Sequence, residues 1–390
     1  MKKTRGKALV LALSVPLVLY AILGGFLGRA LARDSAYRYL AVFQDVLTLV
    51  TSNYVEPVKL EVVMEGALRG MMDALDPDSC YLTPQEFTDF QKPASDKPRA
   101  ELGIEVSKRY YLQVVAVLPG SPAEGAGLQP GDLLKSVDGV NTRDTNVVVG
   151  ESMLRGAAGS SVKLQIIRGR SPDSIEVTVE RKVLSGSPVA YKMMDGPTGY
   201  IRIASFRPGV AKEVAQAVRT LEAAGATELV LDVRDSFGRL AEEGAAVAEL
   251  FVAGGPAATL QGRDQSKNEL KLSADRVVFR GATVLLVNDA SSGAAEIVAS
   301  AFQTAKRAEL VGVKTAGRAA LQRVVPLGDG AGLVLSVSQY WTPDGKALLG
   351  SGIQPTVEVQ IRDDRDAAAS DAILEKGLEV LKSTRTKAAA

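Results

Sequence analysis

The feature that most constrains the fold is a double change of hydrophobic period along the chain. Residues 36 to 75 carry apolar side chains at helical spacing: Tyr39-Leu40, Phe43, Val46-Leu47 and Val50, then Val62-Val63, Leu68, Met71-Met72 and Leu75. Asn53 to Pro57 separates these two helices, and Asp76-Pro77-Asp78 ends the second within the turn Leu75 to Leu82. Lys92 to Pro98 is polar and proline-bearing, as suits a linker. From about Glu101 the pattern becomes short strands broken by turns: Ile104-Glu105-Val106, Leu112 to Val115, a Gly/Pro-rich run from Pro119 to Leu134, Val137-Asp138-Gly139, and Ser161 to Gly169. From residue 186 strands and helices alternate. Gly199 to Phe206, Glu228 to Arg234 and Ala282 to Asn288 read as strands. Val210 to Ala224 is a helix with Val214, Val218 and Leu221 on its inner face, a second helix runs from the Gly238 turn to Phe251, and a third covers Ala294 to Ala305.

One domain cannot hold all three patterns, and 390 residues suffice for two or three cores. The balance of 46 basic against 45 acidic residues gives no electrostatic reason to expect nucleic acid. The absence of histidine excludes a Ser-His-Asp triad, a Cys-His pair and a His-ligated metal. Cys80, the single cysteine, can form neither an internal disulfide nor a thiolate cluster, and is expected as a small, semi-buried residue in a turn. A hydrolase built from this sequence must take its base from Lys, Asp or Glu. No cofactor or metal is implied.

The N-terminus reads as an address. Lys2, Lys3, Arg5 and Lys7 precede an uncharged stretch from Ala8 to Gly28, and Arg29, Ala30-Leu31-Ala32 and Arg33 follow. A basic start, an apolar run and a small-x-small site describe a secretory signal, but the run is about as long as a membrane span. The expectation is an uncleaved anchor, with a cleaved signal as the alternative. In either case the rest of the chain is exported, to the periplasmic or extracytoplasmic side of a bacterial inner membrane.

"GSPAEGAGLQPGDLL", "VDGV" and "GSSVKLQIIRG", in that order, resemble a PDZ domain of the bacterial processing-protease type. Such a domain binds a protein C-terminus as an added strand, its terminal carboxylate held by backbone N–H groups. The resemblance places that peptide-binding loop at Leu102-Gly103-Ile104, with glycine at 103 for close backbone approach. Together with "NYVEP", "LDPDSCYL", "GYIRIASF", "LVLDVR", "LLVNDASSGAAEI", "VGVKTAGRAALQ" and "QYWTPDGK", the chain resembles the tail-specific, or carboxyl-terminal processing, protease family over nearly its whole length. The implied class is α/β (α+β multidomain). Its parts are a signal or anchor (1–33), an N-terminal helical domain (34–98), a PDZ domain (99–185), a ClpP/crotonase-like α/β core (186–362), and a C-terminal helix ending in a disordered Lys/Ala tail (363–390).

In that family the nucleophile is a serine three residues before a glutamate, and the base is a lysine 25 residues further on. A desolvated lysine yields its proton more readily and takes that of the serine. A glutamine about one helical turn beyond the lysine orients its amine. Set on Glu296, the register puts Gly293 at the nucleophile position and Arg318 at the base position, and retains Gln322. Glycine has no oxygen to attack with, and arginine keeps its proton. Gly238 and Ala294 fall at the oxyanion-hole positions. A second glycine of that loop is replaced by Arg239, whose side chain is expected to crowd the hole. The expectation is a noncatalytic homologue that binds unstructured protein C-termini. Two alternatives stand beside it: activity relocated to Ser292 or Ser291, with Lys314 or another lysine as base, and a structural subunit of a catalytic paralogue. Arg318 is read either as a clamp for a carboxylate or as the partner of a nearby Asp or Glu. A homo-oligomer and a membrane contact through the N-terminal segment complete the expected partners.

Overall fold

The computed structural model describes residues 37–92, 100–108, 110–169, 173–184, 187–263, 266–360 and 371–389. The signal or anchor, and most of the linker, lie outside these residues. No helix among the described residues is long and apolar enough to cross a membrane.

The chain divides into two compact units, 1–68 and 69–390. In the first, helix α1 spans 37–53, with Leu47 and Val50 half-buried and Tyr39, Leu40, Val46 and Leu49 exposed. Helix α2 (Leu60–Asp73) follows. The second unit begins within α2, at Arg69, and continues with strand β1 (Cys80–Leu82) and helix α3 (Pro84–Gln91). Thr83 caps α3 in a reciprocal box with Glu86. Cys80 therefore sits not in a turn but in a strand, 3% exposed and paired with Val334. Burial pushes its thiol up to about 12.

The PDZ portion contains β2 (Ile104–Lys108), β3 (Leu112–Val117), a short α4 (Pro122–Gly125), β4 (Leu133–Val137), β5 (Val140–Asn141), α5 (Val147–Leu154), β6 (Ser161–Ile167) and β7 (Ser174–Glu180). Its antiparallel sheet runs β2-β3-β4-β6-β7, so β2 is an edge strand. Alternate residues enter one core, among them Val106, Leu112, Val114, Leu134, Val162, Leu164 and Ile166. The glycine- and proline-rich motif is fixed to this sheet by specific bonds. Buried Asp132 accepts from Arg168 Nε at 2.7 Å and from the Gln129 N–H at 2.9 Å, and the Ser121 side chain caps α4.

The remaining elements are β8 (Val189–Met193), β9 (Thr198–Ile203), α6 (Val210–Ala223), β10 (Glu228–Asp232), α7 (Ala241–Glu249), β11 (Gly255–Gly262), β12 (Asn268–Leu272), β13 (Ala282–Val287), α8 (Ala294–Thr304), β14 (Glu309–Gly312), β15 (Ala320–Pro326), β16 (Gly332–Trp341), β17 (Val357–Glu358) and α9 (Ala372–Ala389). One sheet has the order β17-β14-β13-β10-β9-β8, parallel except for β8. Both faces are covered, which is why its strands are apolar throughout. Leu229, Leu231, Leu285 and Val287 pack beneath α6, α7 and α8, while Val230, Val284 and Leu286 face Ile373 and Leu381 of α9. A second sheet, β1-β16-β11-β12 with β15 on β16, flanks it. The C-terminal tail is not a disordered extension: α9 runs to Ala389.

The charged end of β10 is held by ion pairs. Fully buried Asp232 accepts from Tyr200 Oη at 2.7 Å and from Arg234 NH2 at 2.6 Å, and Arg234 also reaches Asp371 at 2.7 Å. Burial disfavours the Arg234 charge, but the two carboxylates hold its guanidinium above the ordinary range. This network anchors the start of α9 to the sheet.

Candidate active-site cleft

Glu296 organises the region where chemistry is expected. It lies one turn into α8, fully buried, and its carboxylate accepts four hydrogen bonds. Oε1 takes Thr315 Oγ1 and the Gly317 N–H, both at 2.7 Å, and Oε2 takes the Gly293 N–H at 3.0 Å and the Arg318 N–H at 2.8 Å. Burial raises its pKa, opposed by these donors. One side chain thus brings together the two positions that the sequence register marks, 293 and 318.

Position 293 carries no side chain, and position 318 carries a guanidinium. Gly293 has φ +60° and ψ −114°, and a Cβ built there would stand 2.3 Å from the carbonyl oxygen of Gly238. Backbone geometry and the neighbouring loop therefore both exclude a side chain. Of the two positions expected to form the oxyanion hole, the Ala294 N–H donates to the same carbonyl, Gly238 O, at 2.8 Å. Gly238 must be glycine because its own Cβ would meet Phe206 Cβ at 2.4 Å.

Arg318 lies in the loop before β15 and is buried against Asp78. Its Nε donates to Oδ2 at 3.1 Å and its NH2 to Oδ1, and its guanidinium carbon lies 5.2 Å from the centre of the Phe237 ring. Of the two readings of Arg318, the pairing with a nearby acid is the one realised. Asp78 comes from the turn Leu75 to Leu82, which sequence inspection noted for its shape but not as the source of a partner. The cavity at this point, lined by Asp78, Gly238, Gly293, Ala294, Arg318 and Tyr340 among others, measures about 10 Å³, the room of roughly one water.

Arg239 lines the same cavity, beside Phe237. Its guanidinium pairs with Glu151 of α5 at 2.7 Å. With Asn146 Nδ2 on Tyr81 O at 3.1 Å, and with Val148 and Val149 against the Cys80–Leu82–Phe87 cluster, it fastens α5 to the core. Gln322 is not a helical turn from position 318. Residues 320–326 form β15, and its amide donates to Ser336 Oγ at 3.3 Å.

The alternative nucleophiles, Ser291 and Ser292, are both buried. Ser291 Oγ donates to Val233 O at 2.8 Å and accepts from the Asn288 N–H at 2.9 Å. Ser292 is fully buried, and its Oγ has no hydrogen-bond partner among the described residues. Lys314 is exposed.

At the PDZ end, Gly103 has φ +81°, and a Cβ there would meet Ser121 Cβ at 2.2 Å. The loop is held from behind by Leu118 N–H on Gly103 O (2.8 Å) and Ala123 N–H on Leu102 O (2.9 Å). Among the described residues the N–H groups of Leu102 and Gly103 donate to nothing.

Comparison with known proteins agrees with this architecture. Residues 197–359 match the model of peptidase family S41, and residues 113–168 match a PDZ domain. The chain is 31% identical over 317 residues to the carboxy-terminal processing protease CtpA of Bacillus subtilis (strain 168), covering 80% of this chain and 67% of that protein. It is 32% identical over 321 residues to a carboxyl-terminal-processing protease of Synechocystis sp. (strain ATCC 27184 / PCC 6803 / Kazusa), covering 80% and 75%. Among solved structures, the photosystem II D1 C-terminal processing protease superposes with a TM-score of 0.65 at 25% identity, over 85% of this chain and 92% of that one. The chain therefore belongs to the carboxyl-terminal processing protease family, peptidase family S41.

Proposed function

We propose that this chain is a noncatalytic member of its family, an exported protein that holds the C-termini of other proteins through its PDZ domain without cutting them. The observation that carries the reading is the state of the dyad positions: a glycine at 293, and at 318 an arginine clamped to a buried carboxylate. A guanidinium cannot act as a general base near neutral pH. The Asp78 carboxylate would also favour the protonated form of a lysine placed there. The occupied Ala294 N–H supports the same reading, since an oxyanion needs a free donor. Export rests on the basic and apolar N-terminal sequence.

The test is a hydrolysis assay of the purified full chain with unstructured substrates, products read by mass spectrometry, beside labelling with a fluorophosphonate probe. The expected result is neither cleavage nor labelling. Cleavage that disappears in Ser292→Ala would overturn the proposal in favour of a relocated nucleophile.

A further inference from the structure

Among the described residues around the PDZ groove, the carboxylate of Glu105 stands out as one with no partner in a cluster of paired charges. Glu105 lies on β2, the edge strand to which a ligand strand would add. Around it stand Glu101, Glu151 and Arg155 from the PDZ domain and Arg239 from the core. Arg155 pairs with Glu101 at 3.4 Å and with Glu151 at 3.5 Å, and Arg239 pairs with Glu151 at 2.7 Å. The two guanidiniums thus pair with Glu101 and Glu151, and Glu105 is left over. Among the described residues, Glu105 makes no ion pair or hydrogen bond.

We infer that Glu105 selects the ligand: the groove prefers C-terminal peptides with an apolar last residue and a lysine or arginine at the alternate positions that meet β2 beside Glu105. This deepens the proposed function and rests on its PDZ reading. Side chains of an added strand alternate between faces. With the terminal carboxylate at Leu102-Gly103-Ile104, the last residue shares the face of Ile104 and Val106, which belong to the apolar core of the domain. The penultimate and fourth-from-last residues then fall on the side of Glu105. A cation there replaces the missing partner and relieves the repulsion from Glu151.

Glu105 also makes the preference depend on pH. Burial, and then the like charge of Glu151, push its carboxyl up to about 7, with Arg239 opposing. The anion, and with it the preference for a basic peptide, is present above pH 7 and fades as pH falls through that value.

The experiment measures fluorescence anisotropy of labelled decapeptides ending in valine, added to the full chain. Lysine is moved through the last four positions but the terminal one, glutamine and glutamate versions are compared, and an amidated lysine peptide is the control. At pH 8 the penultimate-lysine peptide is expected to bind about tenfold more tightly than its glutamate counterpart, with most of that ratio gone at pH 6. Glu105→Gln should abolish the ratio, and an unchanged far-UV circular dichroism spectrum and thermal midpoint show that the variant is folded. Carboxylate-dependent binding that ignores peptide charge would overturn the inference and leave the PDZ reading standing. Binding that ignores amidation, or no binding by any peptide, would overturn the PDZ reading and the inference with it.

Discussion

Gly103 in the PDZ domain and Gly293 in the protease-like core use one backbone device to opposite ends. Both have positive φ, +81° and +60°, and a Cβ at either would strike a neighbour, Ser121 Cβ at 2.2 Å or Gly238 O at 2.3 Å. At Gly103 the tight turn leaves N–H groups without partners beside an open strand edge. At Gly293 the N–H is taken by Glu296, the next N–H is taken by Gly238 O, and the space in front is filled by Arg318 and Asp78. At these two glycines the backbone approaches a neighbour closely. Whether a ligand or the protein itself meets the turn depends on where the neighbouring donors point.

The largest way to break this contrast is Asp78→Ala. It strands the Arg318 charge in a buried site and should cost about 3–5 kcal/mol, read by chemical denaturation. A loss below about 1 kcal/mol would mean that the core cleft is not sealed by this pair. Gly103→Ala should cost about 2 kcal/mol, because the residue must leave the left-handed region and displace Ser121, and it should abolish peptide binding while leaving the core intact. Gly293→Ser should cost about 1–3 kcal/mol through the same strain. The pair Gly293→Ser with Arg318→Lys should still show no peptide hydrolysis, since Gly238 O and Asp78 remain in place. Restored turnover would show that the cleft lost only its two side chains. Arg239→Ala removes an ion pair whose arginine is 43% exposed and should cost less than about 1 kcal/mol. The smallest expected signal is from Cys80, whose raised thiol should resist alkylation at pH 8 in the native protein and react only on unfolding.

Much of the architecture was legible in the sequence because burial follows period. Val214, Val218 and Leu221 show one helical stripe, and the unbroken run Leu229-Val230-Leu231 belongs to a parallel strand covered on both faces. The glycine at 293 and the arginine at 318 were legible because residue identity needs no fold. What the sequence hid depended on long-range partners. Asp78 and Arg318 are 240 residues apart, and Glu151 and Arg239 are 88 apart, so no local pattern pairs them. Arg239 does line the cavity, but its carboxylate partner on α5 was not legible. The helical placement of Gln322 failed because residues 320–326 join the β16 hairpin. For Cys80, the turn around Asp76 to Ser79 is real, but the cysteine is the first residue of the strand it introduces.

The central claim concerns what becomes of a peptide that the protein holds. Incubating the full chain with an equimolar C-terminal peptide long enough for equilibrium, then weighing every peptide species by mass spectrometry, tests it directly. The account predicts a bound peptide recovered whole, with its terminal carboxylate required for retention. Recovery of fragments from homogeneous protein, at a rate set by a side chain of the cleft, would contradict it.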